Sequence, residues 1–163
     1  MVQNLPMQPP LEIERKFLVG SLPDGFELLP SVPIRQGYAE DGLRFRQKGD
    51  RYYETRKIGT SLVFEEHERE ISREEFDRQW PRTAGRRLEK SRTEIALGAG
   101  LVAEVDLFEG SLSGLRYVEV EFRDVESARA FTPPGWFGRE VTDDLRYRNS
   151  SLARLGIPPG WDK

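Results

Sequence analysis

Leu11-Glu12-Ile13-Glu14-Arg15-Lys16-Phe17-Leu18-Val19 alternates charged and apolar side chains along its length. In a β-strand, residues i and i+2 point to the same side. A strand here therefore sets Glu12, Glu14 and Lys16 on one face and Ile13 on the other. The same period recurs down the chain. Arg44 pairs with Arg46, Thr55 with Lys57, Glu104 with Asp106 and Glu119 with Glu121. Glu66, Glu68 and Glu70 form an acid row, and Lys90, Arg92 and Glu94 a mixed one. Phe45, Ile95, Val105, Val120 and Phe122 fall on the opposite face.

Period-two runs over 11–19, 33–39, 43–48, 51–58, 63–71, 87–97, 101–109 and 115–124 predict about eight strands. Gly49-Asp50 reads as a hairpin turn, as does Gly98-Ala99-Gly100. Ser72-Arg73-Glu74-Glu75 is a capping box that should open a helix, with Pro81 ending or kinking it. Ser127 is the expected cap of a short helix over 128–131, and Asn149 that of a last helix over 150–155, stopped by Gly156. The fold class is mainly β: antiparallel strands in this number close into a sandwich or barrel, with a few peripheral helices. One domain is expected over 11–158, after a disordered leader at 1–10 and before a C-terminal tail at 159–163.

Composition removes several kinds of chemistry. There is no cysteine, so thiolate metal sites, thiol nucleophiles and disulfides are excluded. The single histidine, His67, excludes two-His zinc motifs, and it is out of phase with Glu66 and Glu68. Any metal must sit on oxygen ligands, which favours a hard divalent cation. The pI near 5.4 argues against nucleic-acid binding. No apolar run reaches the roughly 18 residues of a membrane helix, and the first ten residues lack a secretory pattern, so a cytoplasmic protein is expected.

Charged residues make up 33% of the chain, yet 28 acids against 25 bases leave a net charge of only −3. Alternation alone leaves two arrangements open: a charged outer face over an apolar core, or a barrel with the charged face inward. Like-sign pairs within single strands favour the second, because neighbouring like charges on a plain surface repel. A lumen lined this way would hold divalent cations on acid pairs and phosphate oxygens on arginine and lysine pairs.

Glu12-Ile13-Glu14-Arg15-Lys16 resembles the ExExK signature of the CYTH superfamily, the triphosphate tunnel metalloenzymes. Further segments resemble that family in order: Leu43-Arg44-Phe45-Arg46, Lys57, 66–70, Lys90-Ser91-Arg92, Glu104-Val105-Asp106, Glu119-Val120-Glu121 and the C-terminal 146–153. The resemblance spans nearly the whole chain. It implies a closed, antiparallel, roughly eight-stranded β-barrel tunnel with a charged interior. It further implies Mg²⁺ or Mn²⁺ on Glu12, Glu14, Asp106, Glu119 and Glu121, with Glu104 less firmly matched. Lys16, Arg44, Arg46, Lys57, Lys90 and Arg92 would bind phosphate, and Glu68 and Glu70 would support them. Gln36-Gly37-Tyr38 resembles a segment of the bacterial triphosphatase branch, which makes Tyr38 and Lys16 the proton-handling pair. Where many relatives carry lysine this chain has Leu145, so Arg146 or Arg148 would supply that charge.

The implied activity is metal-dependent hydrolysis of a short linear triphosphate, with inorganic tripolyphosphate going to pyrophosphate and phosphate. Its alternatives are a class IV type adenylyl cyclase, an organic triphosphatase for thiamine triphosphate or nucleoside triphosphates, and a non-catalytic polyphosphate- or nucleotide-binding module. The partner is a small anionic triphosphate, with no nucleic acid and no membrane, and a homodimer is left open.

Overall fold

A computed structural model describes residues 11–59 and 62–162. The expected leader at 1–10 lies outside the described residues. The strands are β1 (Leu11–Leu18), β2 (Ser31–Tyr38), β3 (Arg44–Lys48), β4 (Arg51–Gly59), β5 (Val63–Ile71), β6 (Arg87–Gly98), β7 (Leu101–Phe108) and β8 (Arg116–Phe122). All pairings are antiparallel, and the order β1-β5-β4-β3-β2-β6-β7-β8 closes on itself through β8 and β1.

The register fixes which side chains face the lumen. Glu14 lies opposite Glu121 and Lys16 opposite Glu119. Arg46 lies opposite Gln36, Arg44 opposite Thr55, Lys57 opposite Glu66, and Arg92 opposite Asp106. These charged residues all share the inner face. The apolar set is turned outward, so the core is built on the outside of the barrel.

Two groups make up that outer core. Ile13, Phe17, Val105, Val118, Val120 and Phe122 pack under α2 (Val125–Ala130), Phe131 and Phe137. Phe45 and Ile71 pack against Phe76 of α1 (Arg73–Gln79) and Trp80. A third group closes one end of the lumen. There Leu88, Phe108 and Tyr117 meet Tyr147 and Leu152, the latter on α3 (Asn149–Leu155). Trp161, in the segment expected to be a tail, lies against this group. No described helix is long and apolar enough to cross a membrane.

Local signals act as expected at several points. Ser72 Oγ accepts from the Glu75 amide at 3.1 Å and opens α1. Gly49, at φ 61°, turns the β3–β4 hairpin. Two caps differ. α2 starts earlier, at Val125, because Asp124 rather than Ser127 caps it: Asp124 Oδ1 accepts from the Ser127 amide at 2.6 Å. Asn149 is the first residue of α3 rather than its cap, because its side chain is committed to the barrel.

Candidate active site

The inner face encloses a cavity of about 760 Å³ whose lining includes nine acidic and nine basic residues. β1 contributes Glu12, Glu14 and Lys16, β3 contributes Arg44, Arg46 and Lys48, and β4 contributes Thr55 and Lys57. Glu66 and Glu68 come from β5, Arg92 from β6, Glu104 from β7, and Glu119 and Glu121 from β8.

The acids gather in one region. Oxygens of Glu12, Glu14 and Glu121 lie within 4.8 Å of one another. Lys57 Nζ sits 2.8 Å from Glu12 Oε2 and 3.3 Å from Glu14 Oε1. One ammonium cannot neutralise so many carboxylates, and their proton affinities shift accordingly. The hydrogen bond shared with Glu12, helped by burial, pushes Glu121 up to about 8. Burial, then the bond to Glu12, raises Glu66 to about 7. Burial and the facing Glu119 raise Glu14 well above the carboxylate range. Against the cost of burial, bonds from Glu121 and Glu66 and the charge of Lys57 hold Glu12 down to about 2. The crowding favours the protonated form of Glu14, Glu66 and Glu121, and a cation held among them would relieve it. The donor set is all oxygen, which fits a hard divalent ion such as Mg²⁺ or Mn²⁺.

The bases of the lining have polar partners of their own. Arg46 Nε donates to Gln36 Oε1 at 2.8 Å, and Gln36 Nε2 donates to the Tyr38 hydroxyl at 3.0 Å. Arg44 reaches Thr55 Oγ1 and Glu68, each at 3.2 Å. Burial, then the charges of Arg44 and Arg92, draws Arg46 down to about 10. Lys16 Nζ donates to the Tyr147 carbonyl at 3.0 Å and stands 4.6 Å from the centre of the Tyr117 ring.

A protein of Nitrosomonas europaea named inorganic triphosphatase is 49% identical over 152 residues, covering 90% of this chain and 99% of that protein. The chain belongs to the inorganic triphosphatase family. A second inorganic triphosphatase, from Acetivibrio thermocellus, is 36% identical over 88% of this chain and 93% of its own length. The crystal structure of an inorganic triphosphatase superimposes with a TM-score of 0.67 at 46% identity, covering 90% of this chain and 96% of that one. No family model matches the chain.

Within this inorganic triphosphatase homologue most of the expected site residues share the cavity: Glu12, Glu14, Lys16, Tyr38, Arg44, Arg46, Lys57, Glu68, Arg92, Glu104, Glu119 and Glu121. Four do not line it. Asp106, read as a metal ligand, has no exposed side-chain surface and both oxygens engaged. Arg92 takes Oδ1 and Oδ2 at 2.8 and 3.0 Å, and Lys90 Nζ lies 2.7 Å from Oδ2. Lys90, read as a phosphate ligand, is sealed in with it and also donates to Asn149 Oδ1 at 2.9 Å. Burial draws Lys90 down to about 7, against the pull of Asp106. Arg146 turns its guanidinium onto Asp144 at 2.7 and 2.9 Å, outside the cavity. Glu70 is exposed, 3.8 Å from Arg51.

The cavity also holds Lys48, Arg86, Arg148 and Arg154. Lys48 continues the inward phase of Arg44 and Arg46 and is readable from the same period. Arg148 had been one of two candidates for the C-terminal charge, and it is the one that lines the cavity. Arg86 precedes β6 and Arg154 lies on α3, where strand period carries no information. His67 points outward, with Nε2 2.6 Å from Glu65 Oε1.

Proposed function

We propose that the protein is a cytoplasmic member of the CYTH superfamily that hydrolyses inorganic tripolyphosphate to pyrophosphate and phosphate with Mg²⁺ or Mn²⁺. The observation that carries this is a converging acid cluster and a set of arginines and lysines lining one cavity, in a chain of the inorganic triphosphatase family. A linear triphosphate is rich in anionic oxygen, and its hydrolysis asks the protein mainly for positioning and charge stabilisation.

Glu12, Glu14 and Glu121 would hold the divalent cation, with Glu119 bonded to Glu14 beside them. When bound, that ion supplies positive charge to phosphate oxygens. Arg44, Arg46, Lys57 and Arg92 would grip the phosphate chain, the arginines through forked donors. Gln36 fixes Arg46 from behind, and Thr55 and Glu68 fix Arg44. Lys16 and Tyr38 would orient the attacking water and carry off its proton. The water oxygen bonds to a terminal phosphorus as the bridging P–O bond breaks. The electron pair leaves with pyrophosphate, so no protein nucleophile is needed.

Phosphate release from tripolyphosphate and from ATP, side by side, with Mg²⁺ or Mn²⁺ and with a chelator, tests this. The expected result is fast metal-dependent release from tripolyphosphate and slow release from ATP. Faster turnover of ATP would replace the substrate with an organic triphosphate, and pyrophosphate without phosphate would indicate a cyclase. No turnover of either would overturn the enzymatic reading.

A further inference from the structure

Asn149 is the point where the C-terminal segment is tied to the barrel floor. Its amide nitrogen donates to the Tyr117 hydroxyl, and its Oδ1 accepts from Lys90 Nζ at 2.9 Å. Tyr117 has no exposed surface, and its ring lies 4.6 Å under Lys16 Nζ. Two residues before Asn149, the Tyr147 carbonyl accepts from the same Lys16 ammonium at 3.0 Å. On the far side Lys90 reaches Asp106 at 2.7 Å, and Asp106 holds Arg92 through two bonds. One continuous set of contacts thus runs from Arg92 through Asp106, Lys90, Asn149 and Tyr117 to Lys16.

We propose that Asn149 and Tyr117 are positioning residues for Lys16, and that the segment carrying Tyr147 and Asn149 sets the Lys16 ammonium for catalysis. This rests on the triphosphatase reading. Lys16 has a long flexible stem with several rotamers of similar energy. Its Nζ is held by one backbone carbonyl, one aromatic face and Glu119 at 3.7 Å. The first two of those depend on Asn149. Its bond to the hydroxyl pins the Tyr117 ring, and its place at the start of α3 fixes where the Tyr147 carbonyl points. An asparagine suits the position because it donates and accepts at once. It faces a hydroxyl on one side and an ammonium, which can only donate, on the other.

The test compares wild type, Asn149→Ala, Tyr117→Phe and the double variant in tripolyphosphate hydrolysis with Mg²⁺, beside thermal melts. Tyr117→Phe removes only the hydroxyl and keeps the ring beneath Lys16, so it guards against a variant that fails to fold. Each single variant should lower kcat about tenfold to a hundredfold with KM for tripolyphosphate nearly unchanged, the scale of a small misplacement of a reacting group. The double variant should lose no more than the worse single, because both cut one link. If both variants melt lower yet keep wild-type kcat when folded, the role is structural and the inference falls. Losses that multiply, or a rise in KM at constant kcat, would also overturn it. Wild-type protein that leaves tripolyphosphate untouched would instead sink the triphosphatase reading, and the inference with it.

Discussion

Gly37 on β2 and Thr83 on the outside of the barrel leave no room for a methyl group between them. A Cβ at position 37 would lie 2.6 Å from both Cβ and Oγ1 of Thr83. Thr83 has little freedom to retreat, since its hydroxyl donates to the Trp80 carbonyl at 2.7 Å and accepts from Arg87 at 2.8 Å. Gln36 and Tyr38, the inward neighbours of Gly37, share that segment of strand. Gly37→Ala should therefore destabilise by about 1–3 kcal/mol, the range for overpacking. It should also lower activity, because Gln36 and Tyr38 move with the backbone. A thermal melt beside an activity assay checks both, and an unchanged melting temperature would mean that Thr83 yields.

Asp106 is the counter-charge of Lys90 and Arg92, not a member of the acid cluster. Asp106→Ala leaves Lys90 buried without its carboxylate and Arg92 with Glu104 alone. Breaking a buried pair by removing one partner costs about 3–5 kcal/mol. The variant should unfold at clearly lower denaturant concentration, while the Mg²⁺ concentration for half-activation of folded enzyme stays near wild type. A large rise in that concentration would return Asp106 to the metal.

Glu14→Gln keeps the shape of the cluster and removes one anionic ligand. The Mg²⁺ requirement should rise at least about tenfold, and titration calorimetry of the cation should show the same loss. Equal metal affinity in this variant would break the assignment of the cluster.

The metal-free protein should lose stability as pH rises. The folded values for Glu66 and Glu121 are about 7 and about 8, against an ordinary 4.5. Groups raised in the folded state favour folding below their unfolded value, and that contribution disappears as pH climbs through the folded one. Glu12, lowered to about 2, acts in the opposite sense only in stronger acid. Melts in chelator should therefore drop between about pH 5 and pH 8, and Mg²⁺ should restore most stability at the alkaline end. A flat profile in chelator would contradict the crowding of these carboxylates.

Arg146 and Arg148 lie two positions apart and differ in their surroundings. Arg146 closes on Asp144, whereas Arg148 lines the cavity with its guanidinium 5.4 Å from the Phe64 ring. Arg146→Ala should leave turnover within about twofold of wild type, as surface changes usually do. Arg148→Ala should raise KM for tripolyphosphate several-fold. The reverse pattern would restore Arg146 to the site.

The barrel and most of its lining were legible because a strand states its two faces in its own sequence. Glu12, Glu14 and Lys16 had to share a side, and the register then set Glu121 and Glu119 opposite the last two. Which side was inward was not in the alternation. It is decided by what covers the apolar face: α1, α2 and the end-closing α3, elements whose own periods are too short to announce it. Period also cannot tell lining from burial. Lys90 and Arg92 share a face, yet only Arg92 reaches the cavity, because Tyr117, Asn149 and Asp106 seal Lys90 below it. Arg86 and Arg154 stand outside any strand and gave no alternating signal.

The lining joins nine acids to nine bases, and many of these charges already have an opposite neighbour before anything enters the chamber. A free polyanion therefore does not meet bare cations there. It must displace carboxylates such as Glu68 from the arginines they already hold. A cation alone meets the same exchange, taking Lys57's place beside Glu12 and Glu14. Arriving together, anion and cation each take one set of partners, and the freed set of each is answered by the other. The wall thus behaves as a fixed electrolyte, its charges oriented in advance where water would have to turn. Anion and metal entering as one complex would therefore exchange partners at less cost than either entering alone.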